Sequence, residues 1–220
     1  MKNFDNIKNQ RDLPALWTAI SKEKGDGPVP TLNFYGHAKG SEFGFFSNFF
    51  KHEEFDFELP DFLKSDRFRS PIPMAFTEKA IMLCKAALFK DKVRYDLIIQ
   101  ENNPLKCKGL GRKVVPWDQD KWNANVVQIA ESVVYQKFSK VPGLKEKLLA
   151  TGDKLIAETT ARDKNWAIGL NLNDPNRDKP AMWRGANILG YALMKARNKL
   201  GESKISKDDS IQISSKKRNF

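Results

Sequence analysis

The chain has 220 residues, 40% of them hydrophobic and 11% aromatic, with a formal net charge of +11 at pH 7. That length predicts one domain with appendages, and that apolar share is enough for a sizeable core. Two cysteines, and two histidines without metal-ligand spacing, exclude a disulfide framework and a zinc motif; no apolar run approaches the roughly 18 residues that a membrane span needs.

Residues 1–27 form a polar lead in which 13–21 are expected to be a short helix. Pro14 suits its first turn, and Leu16, Trp17 and Ile20 make an apolar stripe. Residues 31–50 read as extended structure: Leu32 to Tyr35, Gly-rich turns, then an aromatic run over 43–50. Within that run, Asn48 either hydrogen-bonds a bound heterocycle between rings or sits in a turn. Residues 52–73 alternate charge and aromatics, with a short strand expected over 55–59 and a long irregular connection around it.

Residues 76–89 contain no Gly or Pro, are rich in Ala and Leu, and predict a helix apolar almost all round, hence buried. Thr77 is the expected N-cap. Glu78 and Lys85 lie two turns apart on one face, with Met82 between them. They are either a helix-start carboxylate and a lysine reaching solvent, or a paired functional couple, because unpaired charges on a buried face are costly. Helices are expected next over 91–100, 104–111, 118–140 and 144–150. Gly109 to Arg112 suits a phosphate or a plain helix end, and matches neither the P-loop nor the dinucleotide fingerprint. Trp122 opens the long helix as core or as a pocket wall. Residues 154–159 alternate like a strand. The loop after them places Asp163 three residues before Trp166, the pattern of an Asx-turn. Asn187 is the expected N-cap of a last helix over 188–200, where Gly190 allows close packing. Residues 201–220 are Ser/Lys-rich and expected to be disordered.

The order of these pieces resembles the NADAR (YbiA-like) superfamily of N-glycosidases. The motifs that carry the resemblance are FYG at Phe34–Gly36, FSNF at Phe46–Phe49, TEKAIMLCKAALF at Thr77–Phe89, GLGRKV at Gly109–Val114 and Trp122. They continue with KF at Lys137–Phe138, LLATGDKLIAE at Leu148–Glu158, DKNWAIG at Asp163–Gly169 and WRGANILGYALMKAR at Trp183–Arg197. The resemblance implies a mainly helical α+β fold: a compact single domain with a few short strands over 31–200, an N-terminal extension over 1–30, and a basic tail over 201–220. It implies catalytic roles for Glu78, Lys85 and Asp163. It also implies substrate contacts by Phe34, Tyr35, Gly36, Ser47, Asn48, Phe49, Arg112, Trp122, Trp166, Gly185 and Asn187, with no metal and no cofactor.

The implied activity is hydrolysis of a ribosyl C–N bond, with ADP-ribosylated guanine, in nucleic acid or as a nucleoside or nucleotide, as the leading substrate. The alternatives are a phosphorylated riboflavin-pathway intermediate as substrate, or a silent binding module for ADP-ribose or nucleic acid. The residue types suit the chemistry. A carboxylate stabilises positive charge at C1 and activates water, while a desolvated lysine can attack C1 of an opened ribose. The basic charge either meets such an anionic partner or serves solubility. A soluble, intracellular protein is expected, cytoplasmic, with a nuclear location as the alternative. The segments 1–30, 52–73 and 171–180 are longer than in the compact bacterial members.

Overall fold

The computed structural model describes residues 7–37 and 41–216, with side chains described through residue 202. Helix α1 (Leu13–Glu23) buries Leu16, Trp17 and Ile20, the predicted stripe, together with Leu13, and Trp17 Nε1 donates to the Ala186 carbonyl at 2.8 Å. Strand β1 (Thr31–Phe34) follows. The aromatic run over 43–50 is not extended: Gly44–Phe46 form a 3-10 turn in which the Phe43 and Phe46 rings stack, centroids 5.8 Å apart. The rings pack on one another across the turn instead of alternating between two faces. The 52–73 connection is more ordered than expected, because β2 (Phe55–Phe57) pairs antiparallel with β3 (Ile72–Met74).

Helix α2 (Thr77–Leu88) is the buried centre, and eleven of its twelve residues are buried, Lys85 alone being partly exposed. Its N-cap is Phe76, whose side chain cannot cap; Thr77 is already helical, and its hydroxyl donates to Asn48 Oδ1 at 2.9 Å. Around α2 pack α3 (Lys92–Gln100), α4 (Pro104–Gly111) and α5 (Gln119–Lys140). Asp91, Asn103 and Asp118 cap the three, each accepting from backbone N–H groups of its first turn. The second oxygen of Asp91 accepts from Val115 N at 2.9 Å, which fastens the segment leading to Trp117 against the start of α3.

Val126, Ile129, Val133, Val134 and Phe138 of α5 are all buried, as the stripe predicted. Helix α6 (Leu144–Leu149) leads to strand β4 (Leu155–Glu158), which lies parallel to β1 with Phe34 opposite Glu158. The last helix, α7 (Ile188–Lys216), packs on α5 and β4. It continues well past Leu200, so the expected tail is helical to Lys216; 217–220 lie outside the described residues. At Gly190 a Cβ would stand 2.0 Å from the Ile156 carbonyl oxygen, so only glycine lets α7 approach β4 this closely. The result is an α+β domain, mainly helical, with two two-stranded sheets. No helix among the described residues is long and apolar enough to cross a membrane.

Candidate active site

Glu78 is 5% exposed, and burial pushes its carboxyl up to about 7. The charge of Lys108 opposes that rise, Asp163 adds to it, and Arg112 and Lys85 oppose it more weakly. Two turns on, the Lys85 ammonium is held below the usual lysine range by burial and by Arg112, while Glu78 pulls it back. Its Nζ sits 4.1 Å from the centroid of the Trp117 ring and 5.4 Å from that of Trp122. The two indoles are 6.0 Å apart, and Phe89 packs against Trp117 at 5.0 Å. A third carboxyl, Glu158 at the end of β4, is likewise pushed up to about 7, by burial first and then by Asp163, with Lys108 opposing and Glu78 adding. Three carboxyls and three cations thus converge from α2, α4, β4 and the loop after β4.

The loop with Asp163 is the Asx-turn that the sequence predicts: Oδ1 accepts from Asn165 N at 2.9 Å and Trp166 N at 2.8 Å. The same loop closes the start of α7, where Ile188 N donates to the Asn165 carbonyl and Leu189 N to that of Trp166. At the other side of Glu78, its backbone N–H donates to the Asn48 carbonyl at 2.9 Å. Phe49 is half-buried, with Lys108 Nζ 5.5 Å from its ring centroid and His37 at 5.4 Å. Ser47 is buried, and its hydroxyl accepts from Phe49 N at 3.2 Å.

Glu78, Lys85, Asp163, Arg112, Trp122, Asn48 and Phe49 are therefore brought together. The remaining expected residues contribute through the backbone or the core: Trp166 N donates to Asp163, and Asn187 accepts from Glu158 N. Phe34 is a core residue, 5.3 Å from Phe46 in an edge-on contact, and Tyr35 is exposed. Gly36 has φ +75°, a turn conformation that favours glycine. Trp166 packs half-buried on the core. Gly185 touches the 167–169 backbone. Asn187 holds the N-cap position of α7, its carbonyl accepting from Tyr191 N at 3.0 Å. It is fully buried at φ +51°, Nδ2 donates to the Ile156 carbonyl and Oδ1 accepts from Glu158 N, so its amide fastens α7 to β4.

Sequence reasoning missed Lys108, Trp117 and Glu158. Lys108 precedes Arg112 by one helical turn, a spacing that puts both on one face. Trp117 lies five residues before Trp122, and the acidic end of KLIAET was a visible signal for Glu158. Open clefts of about 650 and 620 Å³ run along α5, lined among others by Gln128, Ser132, Tyr135 and Lys199, and contain none of the converging groups. Titratable groups shifted by burial and by one another, gathered from several elements, make the converging set the candidate reactive site. Among the described residues no cluster of His, Cys, Asp and Glu is arranged to hold a metal ion.

Comparison with known proteins bears on the family and the fold. The chain is 32% identical over 143 residues to an N-glycosidase of Acanthamoeba polyphaga mimivirus, covering 65% of this chain and 82% of that protein. It is 26% identical over 118 residues to a riboflavin biosynthesis protein of Vibrio vulnificus, covering 54% of this chain and 29% of that longer protein. The NMR structure of the E. coli protein YbiA superimposes with a TM-score of 0.60 at 22% identity, over 81% of this chain and 89% of that one, a likeness of fold. The NADAR domain model matches residues 33–201, the stretch that holds every converging group, and the chain belongs to the NADAR family.

Proposed function

We propose that the protein is an N-glycosidase that hydrolyses a ribosyl C–N bond, and that its substrate is ADP-ribosylated guanine, carried on nucleic acid or as a nucleoside or nucleotide. The observation that carries the reading is the juxtaposition of a buried carboxyl that titrates near neutrality, Glu78, with a partly desolvated amine, Lys85, on one helix face. The mimivirus relative named an N-glycosidase supports the reaction class.

The geometry suits the following course. The anionic diphosphate of the substrate meets Lys108 and Arg112, and its base lies against the Trp122 ring. The neutral amine of Lys85 adds to C1 as the C1–N bond breaks, and protonated Glu78 delivers its proton to the departing base. The ribosyl-amine opens to an imine, and water activated by the Glu78 or Asp163 carboxylate hydrolyses it, releasing the sugar aldehyde and the free amine. A carboxyl with a pKa near 7 serves both as acid and, once ionised, as base.

The Vibrio relative named a riboflavin biosynthesis protein favours a second reading, in which the substrate is a phosphorylated pyrimidine ribosylamine of that pathway. The test is to follow base release by chromatography from ADP-ribosyl-guanosine, from an ADP-ribosylated oligonucleotide and from the riboflavin-pathway intermediate. Release of guanine compounds alone is the expected result. Release only from the pyrimidine compound would install the second reading, and no release from any of them would leave the fold a binding module.

A further inference from the structure

Lys137 is the one charged residue of α5 placed wholly inside the molecule, at 1% exposed. Its Nζ donates to the Ser47 carbonyl at 2.9 Å and lies 5.5 Å and 5.7 Å from the ring centroids of Phe138 and Phe50. The titratable neighbour that feels its charge is His52, whose imidazole is held down to about 4, by burial above all, and is neutral at pH 7. Burial pushes the Lys137 amine down to about 7, and a buried amine resting on one carbonyl and two rings costs stability, so it calls for another reason to be there.

The residue it holds supplies that reason. Ser47 begins the turn whose next residue, Asn48, accepts from Glu78 N through its carbonyl and from Thr77 Oγ1 through its side chain. The third residue, Phe49, lies beside Lys108. Three links of 2.9 Å, each a hydrogen bond, therefore join Lys137 to the first turn of α2. We propose that Lys137 is a positioning residue of the candidate site: it holds the Ser47–Phe49 turn over the start of α2 and thereby sets where the Glu78 carboxyl sits and how far water reaches it. This inference rests on the proposed role of Glu78.

The experiment uses the full chain with Lys137→Met, which keeps length and removes the donor, and Lys137→Gln, which keeps a shorter donor. Three quantities are read: the unfolding midpoint, the titration of the Glu78 carboxyl by ¹³C NMR, and kcat for base release. In the folded Met variant the Glu78 titration should fall from about 7 towards its ordinary value, by about one unit. Removing a positive charge would by itself raise that pKa, so a fall reports movement of the turn. The kcat should drop at least about tenfold with KM nearly unchanged, and Gln should recover part of both. A folded Met variant with unchanged titration and kcat overturns the proposal. So does failure of both variants to fold, which makes Lys137 a stability residue; if Met alone fails, the Gln variant decides on the same two readouts. A wild-type protein that releases no base from any substrate refutes the proposed function, while the NMR titration still decides the positioning role.

Discussion

The Lys85 ammonium lies 4.1 Å above the indole of Trp117, a ring that is itself 43% exposed. The aromatic face favours the charged amine by roughly 0.5–2 kcal/mol, while burial and Arg112 favour the neutral one. The amine is thus seated in one place with its proton held less tightly than that of an ordinary lysine, which suits a nucleophile.

Lys85→Arg keeps the charge and the seat over Trp117 but cannot lose its proton. Borohydride added during turnover should reduce the imine and leave a ribosyl adduct on Lys85 in the wild type, located by peptide mass spectrometry. The Arg variant should show no adduct and a kcat lower by at least about a hundredfold. A fully active Arg variant, or an adduct on another lysine, would leave Lys85 as a charge that positions substrate.

Glu78→Gln separates catalysis from stability. The folded carboxyl, at about 7, lies above its ordinary value of 4.5, so between those pH values the folded state holds more protons than the unfolded one. Wild-type stability therefore falls as pH rises through that window. The variant lacks this limb. Relative to the difference at pH 4, it should gain as much as ~3 kcal/mol at pH 8, and it should lose about 10²–10⁴-fold in turnover. Urea unfolding at both pH values checks the first part; an identical difference at both would mean that Glu78 is not a buried, late-titrating acid.

Much of the helical frame was legible in the sequence. The limits of α4 follow from Asn103-Pro104 at one end, and the burial of α2 follows from its all-round apolar composition. Strand β3 was not legible, because Ile72-Pro73-Met74 reads as a break, and only pairing across Asp56 makes it a strand. The aromatic run at 43–50 misled through its β propensity, which in fact reflects packing that a compact turn supplies equally well. Asn187 was legible as an N-cap by position, but its left-handed backbone and the amide's bonds to β4 were not. At the site, Glu78 and Lys85 were visible by helical spacing. Glu158 and Lys108 each carried a local signal, a strand-end carboxyl and a one-turn spacing to Arg112, but their meeting with Glu78 comes from tertiary placement.

Close backbone approach beneath the Asp163 loop makes one glycine indispensable. A Cβ at Gly185 would lie 2.2 Å from the Ala167 carbonyl oxygen and 2.9 Å from Gly169 N, both backbone atoms that cannot step aside cheaply. Gly185→Ala should cost about 1–3 kcal/mol in urea unfolding. Gly109→Ala, in α4 with open space around its Cβ, should be neutral or stabilise by up to about 1 kcal/mol. Equal effects at the two sites would contradict the packing of the 167–169 segment against Gly185.

Salt dependence distinguishes a polymer carrier from a small molecule. With a net charge of +11, binding of an ADP-ribosylated oligonucleotide should weaken steeply between 50 and 200 mM salt, by about 10-fold for every few phosphates contacted. KM for ADP-ribosyl-guanosine should change much less. Equal, shallow dependence for both would identify a small-molecule enzyme whose basic surface serves solubility.

Asp163 does two things at once, and two substitutions separate them. Its Oδ1 accepts from Asn165 N and Trp166 N, and that turn presents the carbonyls that receive the first N–H groups of α7. Its negative charge also helps raise the titration of Glu78 and of Glu158. Asn has the same acceptor oxygen, so Asp163→Asn should keep the turn and the unfolding midpoint. The charge is gone, so the Glu78 carboxyl should titrate lower than about 7, and the alkaline limb of the pH–rate profile, where the Glu78 proton needed by the departing base is lost, should move to lower pH with it. Asp163→Ala removes the acceptor as well and should lower stability by roughly a further 1 kcal/mol. Both variants should lose turnover, since neither supplies a carboxylate beside C1. NMR titration of Glu78 together with calorimetry reads the two effects independently. An Asn variant in which Glu78 titrates as in the wild type would show that Asp163 is a loop residue outside the electrostatic reach of the helix, and the carboxyl pair assigned to the site would be Glu78 and Glu158 instead.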